Sequence, residues 1–296
     1  MKVLCQLKKK NQVFVSKLLA KSSKLFSDKV YIKIKYRLLF GKGINLETPL
    51  TFNEKLNWLK LNDHNPLYKR LADKYEVKEY VSNIIGKEYV VPTYGIWDSF
   101  EDINFETLPN QFVLKATHNS GGVTVCKDKK SINIRDVEKL FRKVMSDDYF
   151  WGNREWVYKD LKPRIIADLL LDDHSGKELR DYKFLCFNGV PQFMYCTNKS
   201  SDIFENFYDM DFNPVNINHG FRRNVPEFDK PIEFELMKTL ATKLSKGIPF
   251  VRVDFFDVDG NVYFGEFTFY DWAGFRPFDD EKWDYKLGSM LELPSL

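Results

Sequence analysis

Four side chains near the end of the chain could act together: Arg252, Asp254, Glu266 and Thr268. They stand in two apolar runs, Val251-Arg-Val-Asp-Phe-Phe and Tyr263-Phe-Gly-Glu-Phe-Thr-Phe-Tyr, separated by a turn around Gly260. Side chains alternate between the faces of a strand, so Arg252 shares a face with Asp254, and Glu266 shares one with Thr268. If the register superposes those faces, two carboxylates meet beside a guanidinium. Magnesium favours such hard oxygen donors, one or two carboxylates completed by substrate phosphates. The plainer alternative is a charged, solvated hairpin face. Against it, carboxylates left unpaired among Val, Phe and Tyr would be costly to desolvate.

A second group is Phe112-Val-Leu-Lys115-Ala-Thr-His118, which runs into Asn119-Ser120-Gly121-Gly122. A lysine closing an apolar strand needs an anion or a route to water. The glycine loop after it could bring backbone donors against phosphate oxygens. An exposed hairpin would have the same sequence. Neither a GxGxxG nor a GxxxxGK[ST] motif occurs, so a Rossmann dinucleotide site and a P-loop are unsupported.

The elements that must position these groups are legible as patterns. Thr51-Phe-Asn-Glu54 reads as a capping box opening a helix that stops near Asn62-Asp-His-Asn-Pro66. A second helix is expected from about Leu67 to Val81, and a third over 132–146 with Ile134, Val137, Leu140, Phe141 and Val144 on one face. Residues 109–118 read as a turn followed by a buried strand, and strand-like runs cover 123–126 and 164–171. Further runs at 180–187 and 191–197 are joined by Asn188-Gly189. A helix over 233–246 precedes the last hairpin, at 250–257 and 262–269. The order is that of an α+β chain with several hairpins, without regular βαβ alternation.

Charge is unevenly spread. Residues 1–42 carry twelve Lys/Arg against one acid, Asp28, a balance of +11, while the rest of the 296-residue chain stands at −8. This arm could be a membrane-surface foot drawn to anionic lipid. The favoured reading is a helical extension packed on the main body. No nucleic-acid motif accompanies the charge, so nucleic acid is not an expected partner. No run is long enough to span a bilayer, and the start lacks a signal-peptide pattern. Cys5, Cys126, Cys186 and Cys196 have no paired or zinc-like spacing. Reduced, buried thiols and a cytoplasmic location, peripheral to the inner membrane face if the arm touches lipid, are the expectation.

Several phrases fall in a telling order: Thr51-Phe-Asn-Glu-Lys-Leu-Asn-Trp, Ala72-Asp-Lys-Tyr-Glu-Val-Lys, Phe112-Val-Leu-Lys-Ala-Thr-His-Asn-Ser-Gly-Gly, Arg154-Glu-Trp, Pro163-Arg-Ile-Ile-Ala-Asp, Asp181-Tyr-Lys-Phe-Leu-Cys-Phe-Asn-Gly, and Val251-Arg-Val-Asp through Gly265-Glu-Phe-Thr-Phe. From about Gly41 to Gly288 the chain resembles the ATP-grasp superfamily. The closest likeness is to the teichuronopeptide-biosynthesis (TupA-like) ATP-grasp family of bacterial polysaccharide gene clusters. The resemblance implies an α+β ATP-grasp fold, two lobes whose antiparallel sheets grip ATP. The expected parts are a basic helical arm (1–45), an α-rich region (46–110), a first lobe (111–171) and a second lobe with the metal site (172–296). Lys115 then looks like the lysine on the ATP phosphates, and Asn119, Ser120, Gly121 and Gly122 like the loop closing over them. Asp168, Leu170 and Leu171 fall on the hinge that reads adenine. Lys183 would face the nucleotide or the acyl phosphate. Asp254 and Glu266 match the Mg²⁺ ligands, Thr268 stands in for a usual asparagine, and Arg252 matches the arginine near the reacting carboxyl group. Asp168 stands where a longer Glu is more usual. His118 is read as a hydrogen-bonded loop histidine.

The activity so implied is an ATP- and Mg²⁺-dependent carboxylate–amine ligase working through an acyl phosphate. The expected substrates are a small-molecule or glycan carboxylate and an amine, with a sugar carboxylate of capsule or cell-surface polysaccharide amidated. Two other readings compete. A metal-dependent glycosyltransferase could use Asp209-Met-Asp211 or Asp257-Val-Asp259, although such triplets also make turns. A non-catalytic scaffold would attach to membrane through the basic arm.

Overall fold

The computed structural model describes residues 22–173, 179–197, 205–221 and 228–295. Eight helices and ten strands follow one another among them. Helices α1 (Asp28–Phe40), α2 (Phe52–Asn62), α3 (Pro66–Ala72) and α4 (Glu76–Ile85) come first. Strands β1 (Thr93–Trp97), β2 (Phe112–Ala116) and β3 (Val123–Cys126) precede α5 (Ile134–Met145), α6 (Phe150–Asn153) and β4 (Ile165–Asp168). Then come β5 (Asp181–Phe187), β6 (Val190–Thr197), β7 (Glu205–Asp209), β8 (Pro214–Val215), α7 (Phe234–Ser245), β9 (Phe250–Val258), β10 (Asn261–Thr268) and α8 (Glu281–Met290).

The strands form two antiparallel sheets, one ordered β1-β4-β2-β3 and one ordered β10-β9-β5-β6-β7-β8. In the first, Phe112, Leu114, Ala116, Ile165 and Ala167 turn to a small core shared with Val137 and Phe141 of α5. Period two then sends Lys115 and Asp168 to the opposite face. In the second sheet every residue of β5 is buried, and Phe184, Val253 and Phe255 join α7 in the larger core. The two cores are separate, so each lobe is stabilised by its own apolar cluster.

The Thr51–Glu54 capping box is present: Thr51 Oγ1 accepts from the Glu54 amide at 3.3 Å, and Glu54 Oε2 accepts from the Thr51 amide at 3.2 Å. The single helix expected over 67–81 is instead two, broken at Asp73-Lys74-Tyr75. Asp73 Oδ1 accepts from the amides of Tyr75 and Glu76 (2.8 and 3.0 Å), starting α4 afresh. The Lys74 amide meanwhile donates to Thr117 O of the first lobe at 3.1 Å. A tertiary bond breaks what local propensity would continue.

Smaller differences follow the same logic. The strand expected over 164–171 pairs only from Ile165 to Asp168. On α5, Val137 and Phe141 are buried while Ile134 and Leu140 are exposed, so the buried stripe is narrower than the apolar one. Strand β1 joins the first sheet, which therefore draws on residues before 111.

Helix α1 lies on the body through buried Tyr31, Ile32 and Tyr36. Arg154, itself buried, pairs with Asp28 (2.7 Å), donates to Ser23 O (2.6 Å) and stacks over Tyr31. Residues 1–21, with Cys5, lie outside the described part. Cys126, Cys186 and Cys196 are free and buried, and burial pushes the Cys186 and Cys196 thiols up to about 12. Among the described residues no helix is long and apolar enough to cross a membrane.

Candidate active site

The hairpin register superposes the four polar side chains. Arg252 pairs with Thr268 and Asp254 with Glu266 across β9 and β10, and Lys183 of β5 lies opposite Asp254 on the other side. The pairing skips Gly265, a bulge that shifts parity once. That shift lets Phe264 and Phe267 both reach the core, ring centroids 5.0 Å apart, while Glu266 and Thr268 keep to the polar face. A Cβ on Gly265 would stand 3.1 Å from Asp254 O and 3.2 Å from the Phe256 ring, a tight fit that favours glycine at the bulge.

Arg252 is the centre of this second-lobe cluster. Its Nε and Nη2 donate to the two oxygens of Asp254 (2.7 Å each), Nη2 also to Glu266 Oε1 (3.1 Å), and Nη1 to Asp271 Oδ1 (2.8 Å) and Tyr195 Oη (3.0 Å). Lys183 Nζ donates to Asp254 Oδ2 (3.2 Å) and Asp181 Oδ2 (2.9 Å). Burial pushes the Asp254 carboxyl up, but Arg252 and Lys183 overcome it and hold the group below its usual value. Burial likewise opposes the charge of Arg252, and Asp254 with its neighbours raises the guanidinium well above its ordinary value. Thr268 Oγ1 donates to Glu266 Oε1 at 3.3 Å. The Asp254 side chain is 4% exposed and that of Glu266 43%, so Glu266 is the carboxylate open to a ligand. Two cations here face four acids.

The first-lobe cluster has the opposite balance. Asp168 Oδ2 accepts from Lys115 Nζ (2.9 Å), and Oδ1 accepts from Lys78 Nζ (2.6 Å) and Thr93 Oγ1 (2.7 Å). Asp168 is thus committed to its lysines. Burial raises its pKa, and Lys115 and Lys78 outweigh that to lower it. Lys74 Nζ donates to Asn119 O. Burial lowers the Lys74 pKa, and the largest opposing charges it feels are Glu266, which raises it, and Lys115, which lowers it further. Lys74 therefore sits in range of both clusters. Two lysines hold Asp168 on this side, and Lys74 binds the loop that follows β2.

Between the clusters lies the glycine loop. Gly121 and Gly122 have φ of 142° and 59°, and the Ala116 amide donates to Gly122 O at 2.9 Å. A Cβ on Gly122 would come within 2.6 Å of Val144. Burial, then Glu155 and also Glu266, pushes the Tyr149 hydroxyl up to about 12. His118 Nε2 lies 3.3 Å from Val144 O, and the buried Thr117 Oγ1, His118 Nδ1 and Asn119 Oδ1 have no hydrogen-bond partner among the described residues. Leu170 and Leu171 are half-buried after β4, where the Leu169 amide donates to Pro92 O. A cavity of about 650 Å³ opens beside these residues, lined in part by Lys78, Ser82, Val91 and Thr93.

Lys74, Lys78, Tyr195 and Asp271 carry roles that pattern reading left unassigned. Both lysines stand in the phrase Ala72-Asp-Lys-Tyr-Glu-Val-Lys, which was the available signal. The two Asp-x-Asp triplets are turns: Asp257 Oδ1 accepts from Gly260 N (2.9 Å), and Asp209 Oδ1 accepts from the amides of Asp211 and Asn213. No three His, Cys, Asp or Glu side chains converge as a metal cage among the described residues. Asp254 and Glu266 share the single Nη2 of Arg252, a two-carboxylate set that fits a magnesium ion completed by phosphate oxygens.

The family description "TupA-like ATPgrasp" matches residues 54–292, and the chain belongs to that family. Solved structures resemble it distantly. They include the ATP-grasp ligase PsnB with its minimal precursor (10% identity, TM-score 0.41, 73% of this chain and 59% of that one). They also include D-alanine–D-alanine ligase of Bacillus anthracis with ATP (14%, 0.37, 73% and 55%) and D-cycloserine synthetase DcsG (14%, 0.39, 69% and 64%). The chain spans less than two thirds of the length of each. No curated protein matches it in sequence.

Proposed function

We propose that this protein is an ATP-dependent carboxylate–amine ligase. The observation that carries the reading is the pairing of unlike clusters. Lys78 and Lys115 on Asp168, with Lys74 at Asn119 O of the adjoining loop, favour a polyphosphate, and four acids around Arg252 and Lys183 favour a cation. A magnesium–triphosphate complex has that polarity. In this reading a substrate carboxylate attacks the γ-phosphorus to give an acyl phosphate and ADP, and an amine displaces phosphate to form an amide. Lys115, Lys78 and Lys74 hold phosphate oxygens and offset repulsion between substrate carboxylate and nucleotide. Lys183 shields the transferring group, and Arg252 steadies the oxyanion of the tetrahedral intermediate. Asp254 and Glu266, with Thr268 beside them, would hold Mg²⁺, which supplies charge neutralisation when bound. The glycine loop keeps water from the acyl phosphate. The family points to a sugar carboxylate of a bacterial cell-surface polysaccharide as the acceptor, at the cytoplasmic side.

Thermal-shift screening separates the readings: Mg-ATP stabilises a ligase, UDP-sugars a glycosyltransferase, and neither a scaffold. Incubation with ATP, uronic acids and amino acids should release ADP and yield an amide by mass spectrometry. Lack of ADP with every pair, together with no Mg-ATP shift, would sink the ligase. Peripheral membrane contact is a separate proposal, supported by exposed Leu25 (82% accessible) beside Lys24, Lys29 and Lys33. Failure to co-sediment with anionic vesicles at low salt would count against it.

A further inference from the structure

Directly after Thr268 the chain makes a turn that local rules disfavour. Trp272, Ala273 and Gly274 are consecutive left-handed residues, with φ of 47°, 54° and 61°, and only the third is glycine. The turn carries Asp271, which holds Arg252 Nη1 and also accepts from Tyr195 Oη at 2.9 Å. The buried face of α2 grips its carbonyls. Lys60 Nζ donates to Ala273 O (2.5 Å), Asn57 Nδ2 to Gly274 O (2.7 Å) and Asn53 Nδ2 to Arg276 O (3.2 Å). Lys60 Nζ also donates to Asn57 Oδ1 (2.9 Å) and lies 4.1 Å from the centre of the Phe275 ring. Residues 53, 57 and 60 recur at helical spacing on one face, and each is at most 2% exposed. A buried lysine is costly without partners, and Lys60 meets that cost by donating to Ala273 O, Asn57 Oδ1 and Asn153 O (3.1 Å), which ties the turn to α2.

We infer that Asn53, Asn57 and Lys60 are positioning residues: they clamp the left-handed turn 272–274 and thereby fix Asp271 against Arg252. This rests on the proposed ligase activity only for its kinetic readout. The Arg252 guanidinium keeps its orientation because every N–H direction meets an acceptor, and one of those acceptors, Asp271, is set by α2.

The test pairs a direct probe with a kinetic cycle. In wild-type protein the Arg252 Nε–H, assigned by its loss in Arg252→Lys, should give a protected ¹⁵N resonance. In Asn57→Ala, or in the milder Asn57→Ser if the first does not fold, that signal should shift and exchange faster. Turnover to ADP should fall about 100-fold with KM for ATP unchanged, the scale of a misplaced catalytic group. Combining Asn57→Ala with Asp271→Asn should cost no more than Asp271→Asn alone, because both act through one contact. An unaltered Arg252 resonance in a folded Asn57 variant, or additive losses in the double variant, would overturn the inference. If wild-type protein shows no ATP turnover, the ligase reading fails, and the resonance alone still decides the clamp.

Discussion

The two charge clusters solve different problems. Around Arg252 five donor directions meet acceptors in a region 11% exposed or less, apart from Glu266. Around Asp168 the lysines are partly open, at 16% for Lys78 and 27% for Lys115. Buried ion pairs lose heavily when one member goes, because the survivor stays desolvated. Lysines on flexible stems can turn to water instead. The second-lobe cluster is therefore closed around its own ion pairs, whereas the lysines of the first keep a route to solvent.

Matched substitutions should expose that difference. Asp254→Ala should destabilise the protein by about 3–5 kcal/mol in chemical denaturation, since Arg252 and Lys183 lose their shared partner. Asp168→Asn should cost clearly less, and equal losses would erase the contrast. Lys115→Ala and Glu266→Ala should lower ADP formation by about 10²–10³-fold while the fold persists, and wild-type turnover in either would contradict the assigned roles. Gly265→Ala should cost about 1–3 kcal/mol by overpacking against Asp254 O; a neutral result would show that the bulge does not fix the face of Glu266.

The smallest effect concerns Lys35, outside both clusters, whose pKa burial lowers to about 8, despite Glu155. Its folded value lies below the ordinary 10.5, so the unfolded chain binds more protons between about pH 8 and 10.5. Stability of the wild type relative to Lys35→Met should rise across that window, and a flat difference would place Lys35 in water.

How far the sequence foretells this depends on whether a contact is local. Alternation alone put Arg252 with Asp254 and Glu266 with Thr268, because strand parity is a property of neighbours. That the two faces meet required a register set by the Gly265 bulge. The break at Asp73 escaped, since Thr117 O is distant in the chain and helix propensity continues through Lys74. Asp271 escaped for another reason: left-handed Trp272 and Ala273 are held by α2, and nothing in Tyr-Asp-Trp-Ala announces such a turn.

Helix α4 belongs to both halves. Val77, Val81 and Ile85 are sunk in the larger core, yet Lys78 reaches Asp168 of the other sheet, and Lys74 and Asp73 of the turn before the helix reach Asn119 and Arg164 just outside its strands. Each half thus keeps its own oily interior, and the ties that join them along this stretch are polar.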